Sequence, residues 1–581
     1  MYVPRGGSSY TPVVMSILGP CWTLLLLCWS VVCWDGVDTA GGLLEVSMGK
    51  FAELKLDHSA PTEAVLQDIP SNVSFILFQV HTHYKNVTVS FSKIPSLNDS
   101  MTGSDVGLLS PLRPEQTVST WYMESSNLNQ LLVTAVSIPY TETDPIPGAC
   151  NLEFNLDMDP KVYLQYNLYE TTIMFAPANL GYARGAVAPV CDVNMGQVSR
   201  WRLQYDVYQY FLPENNLNDT ILLTHLQKMS MVQPVVTNGV KLVTLSSNER
   251  TSMSFSSIPG QGVIYNVIVR DPLLNTSAAY IPVHTYACTF NATMDNCFTL
   301  GRISTKLFFT FFALLGLFIC FFGHQYLKTE FFFMGFIIGG FLFFILLTRT
   351  TQLDYDARLG LTALIGITGG LLFVAYWWRF GCILLCVLVV GLVLGFLIAS
   401  IIFFTPLGDF ATFHNDIVFW LTFSSISLVT SVVLLFCPKI SNILTCAIVG
   451  SYTVVLAIDS YLYTSLSYIT LNVLKRALND DFSMAYTSVP FQTNDFIIIA
   501  VWIILLLGGV ITQLYREKEK LPFPPTPYLL WKRERERRIT NILDPSYHIP
   551  PLKERVLIRL AQLRDFFRRE QPTGERTPLL F

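Results

Sequence analysis

His81 and His83 stand two residues apart, so on an extended strand both imidazoles project from one face. Such a pair can begin a metal site, but zinc takes three protein ligands or more. The neighbouring sequence supplies no third, and the pair reads as exposed strand histidines. No nucleophile motif or phosphate-cradling glycine loop occurs in this first half of the chain, and the cysteines of the oily half show no metal-ligand spacing. The chain therefore predicts no enzyme, no catalytic residue and no cofactor. Asp459 is the single acid inside an apolar run. An ionisable group at membrane depth is a functional candidate by default, although Asp459 lies near enough to the end of its run to reach water.

The chemistry that the residues do carry is modification chemistry. Asn-x-Ser/Thr triplets occur at Asn72, Asn86, Asn98, Asn218, Asn275 and Asn291, with none after residue 300. Glycans are added on the non-cytosolic side of a membrane, so six triplets confined to one half predict which half faces the lumen or the exterior. Cys150, Cys191, Cys288 and Cys297 fall in that same half. Four cysteines in an oxidising compartment suit two disulfides, with three pairings open. A hairpin bridge between Cys288 and Cys297 is preferred, which leaves Cys150 with Cys191. Cys320, Cys382, Cys386, Cys437 and Cys446 lie in oily sequence, where cysteine acts as a small apolar residue.

The elements that must position these residues divide the chain. Residues 1–40 hold one basic residue, Arg5, and then an apolar run through Leu24–Leu27, the pattern of a secretory signal. The run is long for a signal, so an uncleaved anchor stays open. Between 41 and 302, short apolar runs such as Val73–Val80, Val162–Tyr169 and Val263–Val269 alternate with Pro- and Gly-rich turns. That rhythm predicts a β-rich ectodomain of two β-sandwiches, 41–150 and 151–302. One helical interlude, Leu217–Met231, opens on the N-cap candidates Asn218 and Asp219.

From 303 to 514 seven apolar segments are long enough to cross a bilayer: Leu307–Gly323, Phe331–Leu347, Leu359–Trp378, Cys382–Phe404, Ile417–Cys437, Ile440–Leu462 and Phe496–Leu514. His324–Glu330 reads as a polar loop between the first two. Lys328, Arg379 and Lys439 occupy alternate turns, and the tail 515–581 carries 15 Lys/Arg against 9 Asp/Glu. Positive charge collects on the cytoplasmic side, so charges and glycosylation triplets choose one topology. Lys475 and Arg476, on the opposite side, are the exceptions. Glycines four apart in three successive segments (Gly335/Gly339, Gly366/Gly370, Gly391/Gly395) predict close helix contact within the bundle, or a dimer face.

This division explains the composition. Of 581 residues, 51% are hydrophobic and only 14% charged, and the formal net charge of −4 averages a polar half with an oily one. Nothing in it points to nucleic acid. In the tail, Lys532–Arg538 is basic enough to meet anionic headgroups. Leu552, Val556, Leu560, Leu563 and Phe567 make one face of an amphipathic helix that can lie on a bilayer or a partner. Glu575 with Leu579 and Leu580 resembles the acidic dileucine signal read by clathrin adaptor complexes, which predicts endolysosomal sorting.

Five longer stretches identify a family: Phe175–Gly185 (FAPANLGYARG), Trp201–Glu214 (WRLQYDVYQYFLPE), Ser467–Leu478 (SYITLNVLKRAL), Pro490–Phe496 (PFQTNDF) and Asn541–Pro551 (NILDPSYHIPP). They resemble the seven-transmembrane superfamily member 3 family over nearly everything from residue 44 onward. The resemblance implies a pro-survival membrane protein that attenuates endoplasmic-reticulum stress and the unfolded-protein response and supports insulin secretion. It places such a protein in cellular membranes, including the plasma membrane. It brings no catalytic residue or ligand. Two functions remain to be separated: a partner-binding ectodomain on a solid bundle, or a channel or transporter for an uncharged or lipidic solute. The second predicts a cavity reaching the midplane, lined by Asp459 or by Ser424, Ser425 and Ser427.

Overall fold

A computed structural model describes residues 43–58, 60–125, 130–193, 198–291, 295–519, 523, 527–540 and 552–567. The leader and the terminal Glu575–Leu580 signal lie outside the described residues.

In the first domain, one sheet runs in the order β1-β3-β8-β5-β6 (Leu43–Val46, Thr62–Leu66, Ser119–Ser125, Val87–Ser90, Ser100–Gly103). The other runs β2-β9-β4-β7 (Phe51–Leu56, Leu131–Thr141, Val73–His81, Asp105–Pro111). Trp121 stacks on Phe78 between them at 4.7 Å and donates to Ser110 Oγ. Every residue of β4 is buried. Ile76, Phe78 and Val80 face this core, whereas Phe75 and Leu77 pack into the core of the second domain. Period-two alternation is therefore invisible in β4, because both faces of the strand are apolar.

The second domain pairs β10-β11-β14 (Val162–Tyr166, Glu170–Phe175, Ser252–Ser256) with β13-β12-β15-β16 (Val240–Ser246, Gln204–Phe211, Val263–Asp271, Thr276–Ala279). β17 (Val283–Thr285) also pairs with β15. Phe175, Tyr205, Phe255, Tyr265 and Tyr280 fill the space between the sheets. The interlude Leu217–Met231 holds one helix, α1 (Asp219–Gln227), and a second, α2 (Val232–Asn238), follows it. Asn218 caps α1 by accepting from Thr220 N.

The helical half comprises α3 (Ile303–Phe322), α4 (Leu327–Thr350), α5 (Tyr355–Phe380), α6 (Ile383–Phe404), α7 (Asp416–Leu434), α8 (Pro438–Leu462), the short α9 (Tyr468–Leu478) and α10 (Thr493–Glu517). Among the described residues, six helical stretches qualify as membrane spans by length and hydropathy, and the first, Ile303–Thr350, is 48 residues long. At 1.5 Å per residue that is about 72 Å, over twice a hydrocarbon core. It breaks at a 3₁₀ turn, Gly323–Tyr326, with Phe322 and Tyr326 out of helical geometry. The expected loop is thus one tight turn, and Glu330 lies within α4. α3 packs along α8, α4 along α5, and α6 along α7. The spaced glycines serve these pairs: a Cβ on Gly335 would meet Gly369 O at 3.0 Å, and one on Gly395 would strike the backbone of Ser427. In the tail, α11 (Pro527–Thr540) packs against α5, and α12 (Leu552–Phe567) exposes Val556 and Leu560.

Candidate functional site: the two junctions of the ectodomain

The first junction joins the two β-domains. Asp105, at the start of β7, is 1% exposed and receives histidines from both sides. His81 Nδ1, from the end of β4, donates to Asp105 Oδ1 at 2.8 Å. From the second domain, His284 on β17 places Nδ1 2.6 Å from Asp105 Oδ2 and donates its backbone N–H to the same oxygen at 3.2 Å. His284 Nε2 meets the His83 carbonyl at 2.5 Å. Both ring nitrogens of His284 thus face oxygens, an environment suited to the doubly protonated ring. Burial opposes that charge, but the Asp105 carboxylate and the His83 carbonyl outweigh it and raise the His284 pKa. The carboxyl of Asp105 is likewise opposed by burial yet held well below its usual range by His284 and His81. His83 is pushed down to about 4 by burial and by the neighbouring His284, against a weaker pull from Asp219.

His81 is therefore not an exposed strand histidine, and its partners were invisible locally: Asp105 is 24 residues away and His284 about 200. Around the cluster the domains interlock. Tyr140 donates to Ala279 O at 2.9 Å, Phe75 meets Tyr182 edge-on at 4.8 Å, and Arg184 Nη1 donates to Gln116 O at 3.0 Å. A Cβ on Gly107 would sit 2.8 Å from Ile281 Cδ1, so this close approach requires glycine.

The second junction joins the second β-domain to the helices. The chain between α8 and α10 docks on β14: Ser256 N donates to Tyr486 O at 2.8 Å, and Tyr486 N to Ser254 O at 2.9 Å. Lys475, from α9, is 7% exposed. Its Nζ donates to Ser257 O at 2.7 Å and to Ser256 Oγ at 3.0 Å. Burial alone lowers its pKa to about 7. Gln492, the N-cap of α10, donates Nε2 to Leu212 O at 2.8 Å and accepts from Glu214 N at 2.7 Å. Arg476 pairs with Asp416 at 2.9 Å and donates to Phe413 O at 2.7 Å. The two basic residues that broke the charge rule are thus bonded to the ectodomain and to α7, not left free in a loop.

Asp459 does not reach water. It is 3% exposed and accepts from the Thr464 hydroxyl just past α8. A small cavity of about 30 Å³ lies between α6, α7 and α9, lined among others by Phe403, His414, Phe419, Asn472, Arg476 and Thr487. That is the room of about one water molecule. Neither Asp459 nor Ser424, Ser425 or Ser427 lines it. Ser425 instead donates to Leu421 O in its own helix, and Ser427 to Leu392 O of α6.

Asn72, Asn86, Asn98, Asn218, Asn275 and Asn291 are all exposed. Cys150 is joined to Cys191 and Cys288 to Cys297. Sequence reading also missed a buried polar group in the bundle, Glu330 with Asn442 and His324. The only signal was an acid one turn into a phenylalanine-rich helix.

Three family models match the sequence in chain order. Residues 42–140 match the TM7SF3-like, N-terminal immunoglobulin-like domain, and 145–291 the TM7SF3-like, second immunoglobulin-like domain. Residues 309–514 match the TM7S3/TM198-like domain. Transmembrane 7 superfamily member 3 of Homo sapiens is 61% identical over 543 residues, 94% of this chain and 95% of the human protein. The Mus musculus protein of that name is 58% identical, over 96% of this chain and all of the mouse protein. A Bacteroides uniformis β-glucuronidase overlaps 40% of this chain and 26% of its own, at 8% identity and a TM-score of 0.17, too low to bear on fold or function.

Proposed function

Since the chain belongs to the transmembrane 7 superfamily member 3 family, a multi-pass membrane protein with immunoglobulin-like ectodomains, we propose that it works as a non-enzymatic receptor or scaffold. In this reading the ectodomain lies in the lumen or outside the cell and binds a protein partner. The helices anchor it and receive the consequence of binding, and the tail engages clathrin adaptors. The observation that carries this reading is the second junction, where Lys475 and the Tyr486 backbone bond β14 directly. A partner that shifts the second β-domain must also strain α9, and through Arg476 and Asp416 it must strain α7.

The attenuation of endoplasmic-reticulum stress implied by the family resemblance belongs to this proposal, as does residence at the plasma or endolysosomal membrane. Transport is the weaker reading, because Asp459 accepts from the Thr464 hydroxyl and Ser425 and Ser427 donate to helix carbonyls rather than lining a cavity. The test is residue-specific photocrosslinking in living cells, comparing the full chain with one lacking residues 43–300. Partners captured only when the ectodomain is present support the proposal, and the same set captured without it overturns it. Cells without the protein should show a stronger unfolded-protein response, reversed by the full chain.

A further inference from the structure

Helical register sorts the residues of α12 by kind. At about 100° per residue, Leu552, Val556, Leu560, Leu563 and Phe567 occupy positions within an arc of about 80°. Lys553 and Arg564 stand at one edge of that arc, and Arg559 and then Arg555 at the other. The acids of the helix, Glu554 and Asp565, fall within about 20° of the opposite pole. Leu557 lies beyond the Lys553 edge and Ile558 beside the acids, and neither joins the stripe. Every described side chain of the helix, from Lys553 to Ala561, is exposed, with Val556 at 49% and Leu560 at 56%.

The start of the tail fixes what this helix can reach. α11 begins against the end of α5, where the Tyr528 ring meets Trp378 at 5.7 Å and the Arg379 guanidinium lies 4.4 Å from the Tyr528 ring. α5 is a candidate span, so the contact sits at one end of its apolar stretch. Twelve positions separate Thr540 from Leu552, so α12 begins within about 40 Å of the end of α11. A bilayer around the bundle is therefore in reach at the high effective concentration that a short tether gives. Such a surface offers acyl chains beneath the stripe and phosphates level with both of its edges. Basic residues beside an apolar stripe lay their methylenes along it and bring their charge to those phosphates. Acids at the opposite pole stand farthest from that negative charge. A zwitterionic surface would cover the stripe but give no reason for edges that are basic and free of acids.

We propose that α12 lies on an anionic phospholipid bilayer, that of the membrane which the chain itself spans, with Val556 and Leu560 at the depth of the upper acyl chains and Lys553, Arg555 and Arg559 among the phosphates. The inference goes beyond the receptor reading and does not depend on it. A helix of 16 residues is marginal in water by itself, so the surface that covers the stripe also holds the helix folded. Each basic residue near an anionic surface strengthens binding about fivefold, so α12 answers to the charge of the lipid and to salt.

The test is hydrogen exchange of the full chain in nanodiscs of phosphatidylcholine, with and without phosphatidylserine. We expect the α12 amides to exchange at least about tenfold more slowly when phosphatidylserine is present. The pair Val556→Asp and Leu560→Asp should remove that slowing, and raised salt should weaken it. Both substitutions fall on exposed tail positions, and the amides of α5 report that the bundle stays folded. Equal exchange in the two discs overturns the proposal: fast in both means that nothing covers the stripe, and slow in both means that lipid charge does not hold it. In cells, photoreactive benzoylphenylalanine in place of Leu560 should crosslink to phospholipid, and in place of Glu554 it should not. Protein as the sole product at Leu560 means that a partner's groove covers the stripe, and it overturns the proposal.

Discussion

Asp105 illustrates what one buried carboxylate does when histidines from two domains converge on it. The pKa of His284 is raised across the interface by the Asp105 carboxylate, while that of His83, two residues beyond His81, is lowered to about 4 by burial. Their contributions to stability have opposite signs. A raised folded pKa stabilises below the unfolded value of about 6.5 and loses that stability as pH climbs through the raised value. A depressed one stabilises above about 6.5 and loses it as pH falls toward 4. The interface between the β-domains should therefore be tightest near pH 6.5 and loosen on both sides. Hydrogen exchange of the His284 amide, which donates to Asp105 Oδ2, reads this directly once corrected for intrinsic rates. His284→Gln should flatten the alkaline limb and His83→Gln the acid limb; a monotonic profile in the unaltered chain would refute the assignment.

Elements are coupled through a few bonds whose loss should be visible. Lys475 titrates near 7 in the fold because burial disfavours its charge, whereas unfolded lysine titrates near ~10.4. The unfolded chain thus binds more protons between those values, and the junction should grow stronger as pH rises through that window. Lys475→Met leaves the Ser257 carbonyl unpaired, at about 1–3 kcal/mol. It should speed exchange of the Ser256 amide while sparing that of β15. Exchange unchanged in both would mean that α9 does not hold the ectodomain. Within the bundle, Gly395 lets α6 lie against the Ser427 backbone of α7. Gly395→Leu should force these helices apart, lower stability by about 1–3 kcal/mol and reduce the folded yield. Gly360→Leu, in a position with open space around it, should not.

At the scale of the molecule, polarity is the property on which the proposed function depends. In the proposed reading, the six exposed asparagines of the Asn-x-Ser/Thr triplets and the two disulfides lie on one side of the membrane and the basic tail on the other. Glycosidase treatment should sharpen and speed the band on a gel. A C-terminal epitope should stain only permeabilised cells. Replacing Leu579 and Leu580 by Ala should enlarge the cell-surface pool measured by biotinylation, and an unchanged distribution would remove the adaptor reading.

What the sequence determined by itself is what needs only local pattern or counting. Hydropathy over about 20 residues located the apolar spans, turn residues and short apolar runs announced two β-domains, and the cysteine count pointed to the half that holds both disulfides. Glycines four apart foretold tight helix pairs, because that spacing faces one side of a helix whatever lies opposite. Only the tertiary structure decided which polar groups matter. His81 looked exposed until Asp105 and His284 arrived from distant strands; Glu330 looked like a loop residue until α4 was found to begin before it. Lys475 looked like an error in charge distribution until β14 supplied its acceptors. In each case the deciding fact is burial beside a partner remote in sequence. Such proximity leaves no periodicity for a linear reading to detect.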